Sequence, residues 1–338
     1  MEYRRLGQSA LKLSALSYGS WITFGTSLDD KGAQECLACA YDHGINFFDS
    51  AEVYLGGEAE RMLGRAIKSL GWPRDAFCVS SKVLYGTGDN HDPARAVRPT
   101  QQGLSRKHII EACEQALRRF DLDYLDLYLC HRPDPDMSIA EIAWTMHSLV
   151  QQGKILYWGT SEWPAKDIEA LLQFAQRHSL VPPQVEQPQY NLFHRKRVEQ
   201  EYQPLVDQYG LGLTTWSPLA SGVLSGRYDQ GIPPGSRLTT EGFAWLKDFV
   251  FTDRQEAMLA AIRRLQPIAD ELGASRAQLA IAWALRNPAV TTVMLGASSV
   301  QQLAENLGAI ELLPKLDDAV VQRIEAALDE HAVPRADP

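Results

Sequence analysis

Eight times between residues 13 and 310, a short apolar run gives way to a longer segment with apolar residues at helical spacing. The runs cover 13–20, 45–48, 77–83, 124–130, 155–161, 183–187, 212–217 and 291–296. The longer segments cover 33–44, 58–70, 106–120, 138–153, 165–178, 195–209, 253–272 with 275–287, and 299–310. Ser105 is placed to cap one helix, and Ser275 with Gln278 makes a capping box for another. A strand-then-helix order repeated this often calls for a parallel sheet covered by helices. Eight units match an α/β fold of the closed (β/α)8 TIM-barrel type, with extended loops at its C-terminal face. A doubly wound open sheet is the alternative, but no strand here leads into a GxGxxG phosphate loop. The opening EYRRLG and LKLS, around Gln8-Ser9, predict an N-terminal β-hairpin that plugs the barrel bottom. No stretch is rich enough in Pro, Gly or charge to mark a boundary, so one domain over 1–338 is expected.

The balance of 33 basic against 42 acidic side chains gives a formal charge of −9. That gives no general attraction to nucleic acid or to an anionic membrane. No apolar stretch is long enough to span a bilayer, and MEYRRLGQSA lacks the apolar core of a secretory signal, so a cytoplasmic location is expected. The cysteines at 36, 39, 78, 113 and 130 form an odd, scattered set in apolar segments. Core packing is the expected role even for the CxxC pair Cys36 and Cys39, which lies within a helical pattern, and no metal site is expected.

In a barrel of this kind, chemistry collects where the strands end. The second run ends at Asp49, the third carries Lys82, and the fourth is followed by His131; Tyr54 lies just beyond the second. Each has a plain structural reading: a helix cap, a packed aromatic, half of an ion pair, a hydrogen-bonded core histidine. Together they come from three consecutive strands and fall within a side-chain length of one another. A phenol titrates near pH ~10, and a neighbouring ammonium lowers that value. Asp49 would hold Lys82, Lys82 would tune Tyr54, and His131 would hydrogen-bond the same reacting oxygen. Such a group of four is a general acid for an alkoxide as it forms, the proton half of carbonyl reduction. No side chain supplies a hydride, so a nicotinamide is required.

Candidate contacts for that cofactor lie further along. Ser161 and Gln187 follow strands, and Trp216 is suited to stacking on a ring. Trp216 opens a long Gly/Ser/Pro loop that also carries Arg227 and Arg237, and loops of that length are commonly functional. Ser298 and Ser299 stand at a helix start, where a phosphate binds well and where plain N-capping with Gln302 is also satisfied. Arginine near that terminus favours NADP(H) over NAD(H).

FFDSAEVY, SSKV, CHRPD, YWGTSEW, TTWSPLASGVLSGRY and MLGASSVQQLAENLGAI together resemble the aldo-keto reductase superfamily. GLSRKHIIEACEQALRRFDLDYLDLYLCHRPD, over 103–134, is especially similar to the branch of voltage-gated potassium-channel β-subunits and their bacterial relatives. The resemblance spans about residues 2–316. It implies a (β/α)8 barrel, NADPH bound without a Rossmann domain, and a catalytic tetrad on Asp49, Tyr54, Lys82 and His131. It also implies nicotinamide-side contacts from Ser20, Trp21, Asp49, Ser161 and Gln187, and stacking by Trp216. Ser217, Pro218, Leu219, Ser221 and Gly222 would wrap the diphosphate. Arg227, Arg237, Gly296, Ser298, Gln302, Glu305 and Asn306 would hold the adenosine end and its 2′-phosphate. Three departures stand out. His131 replaces the Asn of the channel subunits and is the residue of the active reductases. Glu162 replaces an Arg and puts an acid near the nicotinamide. Arg227 replaces a Lys, which keeps charge but changes geometry.

The resulting expectation is an NADPH-dependent reductase of small aldehydes or ketones, forming a homo-oligomer such as a tetramer. The alternative is an NADP(H)-binding auxiliary or redox-sensing subunit of a membrane channel with little turnover. A nicotinamide-free barrel isomerase or hydrolase has no GxSxG or HExxH motif in its favour. Trp21, Tyr54, Tyr85, His131 and Trp163, with the loop over 86–103, are the expected walls of the substrate pocket.

Overall fold

A computed structural model describes residues 1–88, 96–234, 236–239, 245–251 and 254–328. Ten strands fall in chain order. They are β1 (Tyr3–Arg5), β2 (Lys12–Ser14), β3 (Leu16–Gly19), β4 (Phe47–Asp49), β5 (Cys78–Val83), β6 (Leu125–Cys130), β7 (Ile155–Thr160), β8 (Val185–Glu186), β9 (Gly212–Thr215) and β10 (Val290–Leu295). β3 to β10 close into a barrel with every neighbouring pair parallel. β1 and β2 form the separate antiparallel hairpin. The predicted run 13–20 is therefore two strands, broken at Ala15, where the chain leaves the hairpin and enters the barrel.

The strands read as unbroken apolar runs because both faces are covered. Their outer faces and the surrounding helices share the larger apolar core. The barrel interior holds Phe47, Cys78, Leu127, Leu129, Val185 and Met294, and Leu6 and Leu13 of the hairpin pack with them from below. Backbone contacts fix that plug. The Gln8 amide donates to the Gly210 carbonyl, and Arg4 Nη1 donates to the carbonyls of Leu285 and Val290, each at 2.9 Å. Gly7 has φ +53°, and a Cβ there would lie 2.3 Å from the Gly210 oxygen, so the hairpin turn requires glycine.

Helices 58–70, 106–120 and 276–286 follow the sequence pattern closely. Ser105 accepts from the His108 amide, and Ser275 with Gln278 forms the reciprocal capping box. Differences cluster at prolines. The predicted helix 195–209 is a π-turn, Arg197–Glu201, followed by Gln203–Tyr209 with Pro204 in its first turn. The predicted helix 253–272 is split into Gln255–Arg264 and Gln266–Glu271 next to Pro267. Two helices were not expected. Trp245–Phe251 lies within the stretch read as irregular, and Asp318–Ala327, capped by Asp317, follows the helix taken as the last. Among the described residues, no helix is long and apolar enough to cross a membrane. Cys36 is buried and Cys39 half-buried in helix Asp30–Asp42.

Candidate active site

Strand register gathers the chemistry at one end of the barrel. Asp49 pairs with Ser80, and Lys82 with Leu129. Cys130, just before His131, pairs with Val83 and Thr160. Lys82 is fully buried, and its Nζ donates to Asp49 Oδ2 at 2.5 Å, to the Ser50 carbonyl at 2.8 Å and to the Tyr54 hydroxyl at 3.3 Å. The other Asp49 oxygen accepts from Ser80 Oγ at 2.6 Å and Gln187 Nε2 at 3.1 Å. Both carboxylate oxygens are thus paired, with three donors between them, as a buried charge requires. Tyr54 begins a tight turn in which Leu55, Gly56 and Gly57 all have positive φ. A Cβ on Gly57 would meet Arg119 at 2.7 Å, so this turn, which aims the phenol back over Lys82, depends on glycine. His131 packs edge-on to Tyr54, with ring centroids 5.9 Å apart.

The electrostatics differ from the sequence expectation in one respect. Burial raises the Tyr54 phenol above its ordinary value, and the nearby Lys82 ammonium only partly offsets this. The phenol is therefore held protonated at neutral pH. For Lys82, burial acts to lower the pKa, but the charge of Asp49 and the contacts with Tyr54 outweigh it, and the amine stays charged. Burial, then the charges of Lys82 and Arg132, hold His131 well below its ordinary value, so the imidazole is neutral. Its Nδ1 is buried with no hydrogen-bond partner among the described residues.

A cavity of about 660 Å³ runs from this cluster along the barrel mouth. At the tetrad end it is lined by Trp21, Asp49, Tyr54, Tyr85, His131, Ser161 and Gln187. It is lined as well by Trp216, Ser217, Pro218, Leu219, Ser221 and Gly222, and by Arg227, Gly296, Ser298, Gln302 and Asn306. Lys82 lies behind Tyr54 and does not line it. Two predicted cofactor contacts fall elsewhere. Ser20 is buried beneath the wall, donating to the Asp49 carbonyl and to Ser50 Oγ. Glu305 is exposed and outside the lining. The side chain of Arg237 lies outside the described residues, as do residues 89–95 of the predicted 86–103 loop. Trp163 is not a pocket wall. It is fully buried, and its indole N–H donates to the Cys130 carbonyl at 3.2 Å. The preceding residue, Glu162, has φ +59° and turns the chain inward.

Glu162 is fully engaged. Its carboxylate accepts from the Trp216 indole N–H at 2.9 Å, from the Gln189 amide, and from Arg197 Nη1 at 2.6 Å. The acid that replaces an Arg in this motif therefore fixes the edge of the aromatic platform. The Ser299 hydroxyl accepts from the Gln302 amide, and Gln302 Oε1 accepts from Ser298 N and Oγ at 2.9 and 3.1 Å. Capping and an anion-ready helix start coexist there.

The family model described as "Aldo/keto reductase family" matches residues 15–329. The chain belongs to the aldo/keto reductase family. It is 46% identical over 329 residues to a probable voltage-gated potassium channel subunit beta of Arabidopsis thaliana, with 97% of both chains covered. An Oryza sativa subsp. japonica protein of the same description matches equally. A putative voltage-gated potassium channel subunit beta of Schizosaccharomyces pombe is 43% identical over 328 residues, covering 97% of this chain and 93% of that one.

Aldo/keto reductases are oxidoreductases that generally bind NAD(P)H, and the cavity suits such a ligand. Its volume lies within the range of cofactor sites. Ser217, Ala220 and Ser221 adopt positive φ without being glycine, conformations that cluster at active sites and ligand clamps. Among the described residues, Asn306 Nδ2 is a buried donor with no partner and no carboxylate pairs with Arg227, both on the cavity lining. An elongated ligand with polar and anionic groups there would satisfy both. Several residues of the site escaped the sequence reading. Ser80 and Ser50 are small polar residues beside Asp49 that hold the carboxylate and the ammonium. Arg132 and Trp245 line the cavity. Arg132 carried a signal, being a cation directly after His131 at a strand end.

Proposed function

We propose that the chain reduces aldehydes or ketones to alcohols with NADPH, with Tyr54 as the general acid. The observation that carries this reading is the buried Lys82, bonded at once to Asp49 and to the Tyr54 hydroxyl. NADPH, when bound, supplies the hydride. The chain supplies the rest. Trp216, held by Glu162, offers a flat face for the nicotinamide, and Ser161 and Gln187 offer polar groups for its amide. The 217–222 turn would hold the diphosphate, and Arg227, Ser298, Gln302 and Asn306 the adenosine end. The cation at Arg227 favours a 2′-phosphate, hence NADP(H).

A substrate carbonyl oxygen fits between the Tyr54 hydroxyl and His131. Neutral His131 orients it without competing for the proton. Tyr54 then protonates the oxygen as it gains charge. Lys82, beside the phenol, stabilises the phenolate left behind, and Asp49 keeps Lys82 in place. General acid catalysis of this kind contributes about 10²–10⁴-fold.

A second reading is favoured by the relatives, which are described as channel subunits: an NADP(H)-binding auxiliary subunit with slow turnover. We place the protein in the cytoplasm as a homo-oligomer under either reading. Single-turnover oxidation of bound NADPH by 4-nitrobenzaldehyde separates the two. Wild type should react, and Tyr54→Phe should retain NADPH while the hydride step slows by at least about 100-fold. If both proteins are equally slow, the auxiliary reading replaces the first.

A further inference from the structure

Arg132 is a cation lining the cavity beside His131, and among the described residues no acid neutralises it. Its Nη1 donates to the His131 carbonyl at 2.5 Å and to Ser161 Oγ at 3.1 Å, which anchors the side chain. Nε and Nη2, the edge of the guanidinium that fits a carboxylate, make no hydrogen bond among the described residues. Other half-buried arginines use that edge or an Nη on an acid: Arg195 donates from Nε and Nη2 to the two oxygens of Glu199, each at 3.0 Å. Arg197 is paired with Glu162, and Arg276 with Asp229. The Arg132 guanidinium sits 5.9 Å from the Trp216 ring centroid. It is close enough to Tyr54 and His131 for its charge to be felt by both. In a chain of net charge −9, a half-buried cation near the reacting groups with no counter-ion among the described residues invites one from the ligand.

We propose that Arg132 binds a carboxylate carried by the carbonyl substrate, so that the preferred substrates are oxo-acids or formyl acids rather than neutral aldehydes. The assignment rests on the reductase reading and names its substrate class. Trp21, Tyr85 and Trp245 give the same cavity apolar walls, the last two about half exposed at 45% and 51%. An aromatic or extended carbon frame would lie between them and bridge carbonyl and carboxylate.

The test compares 4-carboxybenzaldehyde with its neutral methyl ester in the wild type, Arg132→Met and Arg132→Lys, with NADPH affinity measured on each protein. The readout is the ratio of kcat/KM for acid over ester within one protein, which cancels any general loss of activity. In the wild type the ratio should exceed about 10, a charge-assisted bidentate contact being worth at least that. It should fall to one or below in Arg132→Met, through KM for the acid, and be partly restored in Arg132→Lys. A wild-type ratio near one overturns the assignment. So does a ratio that Arg132→Met leaves unchanged while NADPH affinity falls, which would give the guanidinium to the cofactor. If the wild type turns over neither compound, the reductase reading fails. Calorimetric binding of benzoate to the NADPH-loaded protein then decides: binding lost in Arg132→Met upholds the anion site, and no binding by wild type overturns it.

Discussion

At Tyr54 two effects oppose each other, and the balance sets the pH behaviour. Burial raises the phenol pKa, and Lys82 lowers it by less. A general acid must be protonated, so reduction should be flat through neutral pH and fall only in alkali, at or above the ordinary phenol range of ~10. A pH profile of single-turnover rate checks this, and a fall already complete by pH ~8 would contradict it. Removing the ammonium leaves only the weaker charge of Arg132 to oppose burial. In Lys82→Met the phenol pKa should rise further, and kcat should drop by about 10²–10⁴-fold because the phenolate loses its stabilising charge. The same change strands Asp49, a buried carboxylate, which costs about 3–5 kcal/mol of stability. Lys82→Met with Asp49→Asn should recover most of that stability and none of the rate. A double variant that regains activity would show that Lys82 acts only through packing. Arg132 and Glu162 illustrate why neighbouring residues take different tasks: the cation lacks an acid among the described residues, while the acid beside Ser161 is already paired with Arg197 and Trp216.

Between β5 and helix Arg106–Phe120, the chain leaves the barrel carrying Tyr85 and returns at Gly103. Both ends of this excursion meet on buried Glu52 and His108. Glu52 Oε1 accepts from the amides of Leu84 and Gly86, each at 2.8 Å, and Glu52 Oε2 lies 3.5 Å from His108 Nε2. His108 Nδ1 donates to the Gly103 carbonyl at 2.8 Å, and the Gly103 amide donates to the Leu84 carbonyl at 2.6 Å. Burial acts to lower the His108 pKa, but its contacts with Glu52 and the Gly103 carbonyl outweigh it, and the net shift is upward. A raised histidine contributes stability in full below its unfolded value, ~6.5, and loses it as pH rises through the folded value. Wild type should therefore exceed His108→Gln in Tm by most at pH ~6, and the gap should narrow in alkali. A gap that widens with pH would invert the assignment of charge to His108. None of this was legible in the sequence, where Glu52 and His108 are 56 positions apart in number and neither ends a strand.

At the scale of the whole molecule, the barrel was legible because parallel strands buried on both faces leave continuous apolar runs, and the tetrad because its charges interrupt them. Side-chain direction was not legible. Trp163 follows a strand end as Trp216 does, yet the positive φ at Glu162 sends it into the core. The hairpin was expected from its turn, and the interior contacts of Leu6 and Leu13 explain what it contributes: it closes the one end of the barrel where no loop carries chemistry. Leu13 is fully buried among Phe47, Leu127 and Val185, at the opposite end from Tyr54. Leu13→Ala should remove about 2–5 kcal/mol by leaving a cavity that the closed strands cannot collapse around. For a chain of this length, that is a fall in Tm of roughly 3–7 °C. NADPH affinity and the single-turnover rate should be unchanged, since the far mouth of the barrel is untouched. Melting followed by far-ultraviolet circular dichroism and by tryptophan fluorescence should shift together, because the plug shares its core with five of the barrel's strands. If the two probes separate, the hairpin is an independent cap rather than part of the barrel's cooperative unit.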